Sequence, residues 1–220
     1  SHHPGYLAQS AATELRLTAP SNVWVTFANE EASWKNVFGY YTYNANSPLE
    51  SEDEIDYTII FPNVSKEDGL KPGTKVKIGN FKAGTVIGWF VISDGWKNGK
   101  ITDGNYTLYS NPVFNPESNP DLKKHFVLLN NALIKSFILG VEDTRRDQSS
   151  DNDFNDIIFY VTLSNPNAVD TKSIVVMPEK TLEIKDKKDE VKPDSSTKSD
   201  QGNNGTGNPQ QKSGKGQRKQ

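Results

Sequence analysis

Between Glu142 and Asp156 the chain carries nine side chains with carboxylate or amide oxygens, six of which are the candidate ligands: Glu142, Asp143, Asp151, Asp153, Asn155 and Asp156. Carboxylates this close repel one another unless positive charge sits among them. Hard oxygen donors suit Ca²⁺, which takes six to eight of them. The expected chemistry is therefore calcium binding, with Glu142, Asp143 and Asp156 at the base of a loop and Asp151, Asp153 and Asn155 on its arm. Asp151, Asp153 and Asn155 have the spacing that opens an EF-hand loop, but the sixth place is Asp156 instead of Gly and the twelfth is Thr162 instead of Glu. The competing reading is a solvated loop whose acids are balanced by Arg145 and Arg146. A loop needing only solubility would mix in Ser, Lys and Gly.

The residues on either side say how such a loop would be held. Phe137-Ile138-Leu139-Gly140-Val141 precedes it and Ile157-Ile158-Phe159-Tyr160-Val161 follows, both β-branched or aromatic runs that read as strands. The expectation is a loop clamped between two antiparallel strands.

Leu139-Gly140-Val141-Glu142-Asp143, followed by Ser150-Asp151-Asn152-Asp153-Phe154-Asn155-Asp156-Ile157-Ile158-Phe159, resembles the Gly-Phe-Glu-Asp and Asp-Phe-Asn-Asp signature of a bacterial family known as domain of unknown function 4114. The likeness extends through Ile87-Gly88-Trp89-Phe90 and Thr107-Leu108-Tyr109-Ser110 to Asn36-Val37-Phe38-Gly39-Tyr40-Tyr41, and so over most of the first 170 residues. The Asp-Phe-Asn-Asp segment is its specific part. Val141 stands where the family usually carries Phe, a change in packing and not in a ligand. The resemblance implies a fold, a calcium site and an extracellular or cell-surface setting, because the family occurs in secreted and surface proteins such as large calcium-dependent adhesins. It implies no reaction.

Bulk properties agree with a single folded body and a polar tail. Of 220 residues, those from 181 to 220 hold nine Lys or Arg against six Asp or Glu, leaving sixteen basic and twenty-two acidic residues in 1–180. An acidic body argues against a nucleic-acid surface and is consistent with cation binding. No run of eighteen apolar residues is long enough to span a membrane. With no cysteine there are no disulfides, thiolate metal sites or cysteine nucleophiles. Ser1-His2-His3 lacks the form of a signal peptide and reads as a mature or truncated start, the histidines native or a tag remnant. From Lys185 onward the chain is almost devoid of apolar residues, the composition of a disordered linker.

The body, residues 1–180, reads as all-β. Strands are expected at Leu15–Thr18, Val23–Phe27, Phe38–Tyr43, Tyr57–Phe61, Val76–Ile78 and Thr85–Ile92, with an edge strand at Ser173–Met177. Turn signals at Asp94-Gly95, Asn98-Gly99 and Asp103-Gly104 punctuate them. The fold class expected is an antiparallel β-sandwich, jelly-roll-like. Pro120–Leu129 could be helical with Asn119 as cap, but His125–Leu129 reads better as a strand. Glu50–Asp56 is a charge run read as a solvated loop, with a second cation site as the alternative. The proline-punctuated stretch 110–121 could cover one end of the sandwich.

Enzyme signatures are missing: there is no Gly-x-Ser-x-Gly elbow, phosphate-cradling glycine loop, His-Glu-x-x-His helix or dinucleotide fingerprint. His125 reads as a packed residue, and the chain is expected not to be an enzyme. Trp96, beside Asp94 in a turn, and Trp34, in a polar segment, are candidate ligand contacts; Trp24 and Trp89 read as core. Three functions follow: a calcium-binding extracellular module serving adhesion or assembly, a calcium-dependent glycan-binding module using Trp96, Trp34 or the tyrosines at 40–43, and a glycan hydrolase.

Overall fold

Residues 5–148 and 150–177 are described by a computed structural model; the readings placed on the first four residues and on 178–220, the amino-terminal histidines and the disordered tail, lie outside the described residues. Strands β1 (Leu15–Arg16), β2 (Ser21–Glu30), β3 (Asn36–Asn44), β4 (Thr58–Val64), β5 (Lys75–Phe81), β6 (Thr85–Ser93), β7 (Trp96–Lys97), β8 (Lys100–Ile101) and β9 (Tyr106–Tyr109) come first. They are followed by β10 (Phe126–Asn131), β11 (Ser136–Val141), β12 (Ile157–Leu163) and β13 (Val175–Val176). Every strand expected from the apolar alternation forms. The ambiguous stretch resolves into a 3₁₀ turn at Pro120–Leu122, whose Asn119 cap accepts from the Asp121 amide, and then β10.

Two sheets result. One runs β1-β6-β3-β4, with β9 also on β6; the other runs β13-β10-β11-β12-β2-β5. All pairings are antiparallel except β10 with β13. Strands distant in sequence lie side by side, β2 between β12 and β5, and the chain crosses repeatedly from sheet to sheet in the jelly-roll manner.

Period-two burial places the core between the sheets. In β2, Val23, Val25 and Phe27 are fully buried; in β12, Ile157, Phe159 and Val161 are. Phe38 of the first sheet stacks on Phe159 of the second, ring centroids 4.0 Å apart, and Phe61 faces the same ring at 5.8 Å. β6 is buried on both faces because a second cluster of Tyr41, Ile55, Phe90 and Tyr109 covers the outside of its sheet. Phe114, on the proline-punctuated connection, packs edge-on against Tyr109 at 5.9 Å, so that connection covers part of this outer face.

Trp89 is core, as expected, but Trp24 is not. It occupies an outward place on β2, where Lys75 and Lys77 lie over its ring at 5.4 and 5.9 Å. Aliphatic neighbours in sequence mislead here, because successive side chains of a strand point to opposite faces. The Glu50–Asp56 run forms an exposed 3₁₀ turn at Glu52–Glu54 and contributes to no metal-binding group among the described residues.

Candidate metal centre

The β11–β12 ladder ends at the pair Val141↔Ile157, so Glu142 and Asp156 flank the mouth of the connection that follows. Pairing with β10 continues one step further, since the Glu142 amide donates to the His125 carbonyl at 2.9 Å. Glu142 thereby enters the loop on a fixed backbone. Its side chain is fully buried, one oxygen accepting from the Phe154 amide at 2.6 Å and the other from the Ser150 hydroxyl. The chain folds back over it and brings Asp151 and Asp153 in, both exposed. One oxygen from each of Glu142, Asp151 and Asp153 lies within 4.8 Å of the others, a group able to hold a metal ion. Asn155 steadies the arm, its amide nitrogens donating to the two Asp153 oxygens at 3.0 and 2.6 Å.

Two left-handed residues make this fold-back possible, Asn152 at φ 63° and Phe154 at φ 59°. Asn tolerates that region; an aromatic residue is strained in it and stays only where its surroundings over-determine it. Phe154 is buried, edge-on to Tyr6 at 6.2 Å and capped by the Arg146 guanidinium at 5.3 Å. Its carbonyl rests against Gly140, where a Cβ would come within 2.6 Å of that oxygen. The glycine is thus required by the close approach of the loop to β11.

Neither arginine forms an ion pair with the three acids, although the Glu142 charge acts on Arg146 from a distance. Arg145 pairs with Asp147 at 2.5 Å. Arg146 forms no ion pair within 4.0 Å and donates instead to Asn152 at 2.6 Å and to the carbonyls of Asp121 and Lys124 at 3.0 and 3.2 Å, tying the arm to the turn before β10. Burial pushes the Glu142 carboxyl above its ordinary range; the bonds from Ser150 and Phe154 oppose this, and the charges of Asp151 and Asp153 add to it.

The structure divides the six expected ligands. Asp143 and Asp156 form a separate pair beside the three, the Asp143 amide donating to Asp156 at 2.8 Å. Burial first, and then the neighbouring Asp143 charge, push Asp156 up to about 8. Asp143 accepts from the Asn36 side chain at 2.6 Å, and its carbonyl accepts from the Ser93 hydroxyl. Asn36, fully buried, had no signal marking it as part of the site; sequence places it 106 residues before Glu142, and only the sandwich brings it here.

Behind the loop His125 is fully buried, one ring nitrogen 3.2 Å from the Glu142 carbonyl and the other 2.9 Å from Glu117. Burial alone would raise Glu117, but the contact with His125 outweighs it and holds the carboxyl below its usual value. The expectation of a packed histidine holds, with the addition that it braces the backbone of a candidate ligand.

Residues 81–164 match the family model described as Domain of unknown function (DUF4114). The matched segment is similar to this family. It spans β6 to β12 and contains all six candidate ligands, whereas β2, β3 and Asn36 lie before it. No curated protein and no solved structure matches the chain.

The aromatic candidates lie on the Asp143 side of the acidic loop. The Asp94 amide donates to Asn36 Oδ1 at 3.0 Å, and the Trp96 amide to the Lys35 carbonyl at 2.9 Å. Trp34 packs edge-on against Tyr106 at 6.2 Å, and the Tyr106 hydroxyl accepts from the Arg145 amide at 3.2 Å. Both tryptophans are half-buried and Asp94 is engaged by Lys97 at 2.9 Å.

Proposed function

We propose that this chain is a non-enzymatic calcium-binding β-sandwich module of a secreted or surface-exposed bacterial protein, serving adhesion or ligand binding, with calcium ordering the connection from Glu142 to Asp156. The observation that carries the reading is the convergence of Glu142, Asp151 and Asp153 within 4.8 Å with no basic side chain paired to any of them. The donors are carboxylate oxygens, which suit a hard divalent cation. Glu142 would supply the buried ligand and Asp151 and Asp153 the exposed ones, facing the ion from the solvent side. Asn155 would orient Asp153, and Arg146 would hold the arm through Asn152. A bound cation would offset the burial that raises Glu142 and the smaller repulsion from Asp151 and Asp153 that adds to it.

Calorimetric titration of calcium into chelator-treated protein tests this. Binding heat and a rise in melting temperature are expected. Asp153→Ala and Asp156→Ala are each expected to weaken binding by about tenfold or more, the first by removing a ligand and the second by disturbing the base of the loop. Asp147→Ala, at a residue already paired with Arg145, should behave as the unsubstituted protein. Absence of heat and of any thermal shift would remove the basis for the reading.

A second reading, calcium-dependent glycan binding, draws on the link from Asp143 through Asn36 to the Asp94–Trp96 turn. A loop ordered by calcium would then bear on a neighbouring surface holding Trp34 and Trp96. Glycan-array binding that appears only with calcium and is lost in Trp96→Ala is the expected outcome.

A further inference from the structure

The connection between β10 and β11, at the end of the sandwich away from the acidic loop, is Ala132-Leu133-Ile134-Lys135, and all four residues are exposed. Leu133 is 72% and Ile134 56% exposed. Tight turns are built from Gly, Asn, Asp, Ser and Pro, so consecutive large aliphatic residues at an apex have no local structural reason to be there. Val176, in register with Asn130 on the adjoining β13, is 58% exposed beside them.

Charge is divided along the same axis. The strand registers put the β5–β6 connection (82–84) and residues 164–169 after β12 at the hairpin end of this sheet. These segments and the hairpin carry Lys82 and Lys135 and no acid, and the adjoining residues 170–172 add one acid, Asp170, against one base, Lys172. The opposite end carries Glu30, Glu31, Glu142, Asp143, Asp147, Asp151, Asp153 and Asp156 against Arg145 and Arg146, and so is net acidic. The acids of the β3–β4 connection lie instead over the outer face of the other sheet, where Glu52 and Asp53 line a cavity with Tyr57 and Tyr109.

We propose that the β10–β11 hairpin tip is a lipid-docking element, in which Leu133 and Ile134 enter the interfacial region of an anionic phospholipid bilayer while Lys135 and Lys82 face its headgroups. An exposed turn with two aliphatic side chains offers far less than the roughly 800 Å² per partner that a stable protein interface buries. A bilayer requires only that the apex be immersed, with lysines adding attraction to anionic lipid. The polarity orients the molecule, its acidic loop pointing away from the negative surface.

Vesicle flotation of the full chain tests the proposal, in chelator-containing buffer so that it stands or falls separately from calcium binding. Vesicles of phosphatidylcholine with phosphatidylglycerol should carry the protein up, and pure phosphatidylcholine should carry about tenfold less. Leu133→Ser with Ile134→Ser should lower binding to the anionic vesicles by about tenfold or more with an unchanged melting temperature, since both side chains are exposed. Lys82→Gln with Lys135→Gln should lower it on anionic vesicles only. Failure of the unsubstituted chain to float overturns the proposal. So does undiminished flotation of the Leu133/Ile134 variant, which would assign binding to the basic residues 212–219, or a dimer in solution that this variant dissolves without any vesicle binding.

Discussion

Asp156 concentrates the electrostatics of the candidate site in one titration. Its carboxyl is pushed up from 3.8 to about 8, by burial and then by Asp143. Between those values the folded protein keeps a proton that the unfolded chain has released, so folding takes up a proton and stability falls as pH rises. The contribution is full below about pH 4 and gone once pH passes about 8. In chelator-treated protein the melting temperature should therefore decline across this window, and Asp156→Asn should flatten the decline and leave the variant the more stable of the two above pH 8. Parallel pH profiles for the two proteins would show that Asp156 is not held in this way. At the same scale, type and spacing made the six candidate ligands legible, while their division into a group of three and a pair was not. That division depends on which way each side chain leaves a non-repetitive backbone, and on Asn36 arriving from β3 to hold Asp143.

The β11–loop–β12 unit behaves as one element because its arm rests on its own strand. Gly140→Ala would set a Cβ 2.6 Å from the Phe154 carbonyl and 3.0 Å from a Val127 methyl, backbone and a packed side chain that cannot both yield. A loss of about 1–3 kcal/mol is expected, read by urea unfolding, together with weaker calcium binding as Phe154 and its amide contact to Glu142 shift. Unchanged stability would mean that the loop stands clear of the strand. The flanking strands were readable from their β-branched runs and the antiparallel clamp followed from them. The left-handed turn at Phe154 was not, since nothing in a Phe predicts positive φ. Only the ring's burial between Tyr6 and Arg146 makes that conformation tenable.

At the scale of the molecule, closure of one sheet on the other fixes where the site sits. Phe159 lies at that closure, stacked on Phe38 at 4.0 Å and facing Phe61 at 5.8 Å, three residues after Asp156. Phe159→Ala should cost about 3–5 kcal/mol in denaturant unfolding. A loss under about 1 kcal/mol would mean that the two sheets are held together elsewhere. What the sequence determined by itself was local: alternation with a period of two dictates strands, turn residues end them, and clustered acids mark a candidate cation site. What the tertiary structure decided was everything set by strand order. It put Trp24 on the outer face although its neighbours in sequence are aliphatic, and it bound Asn36 to Asp143. Local pattern records which residues alternate, whereas the side they face and the partners they meet depend on pairings between segments far apart in the chain, and those exist only once the two sheets close.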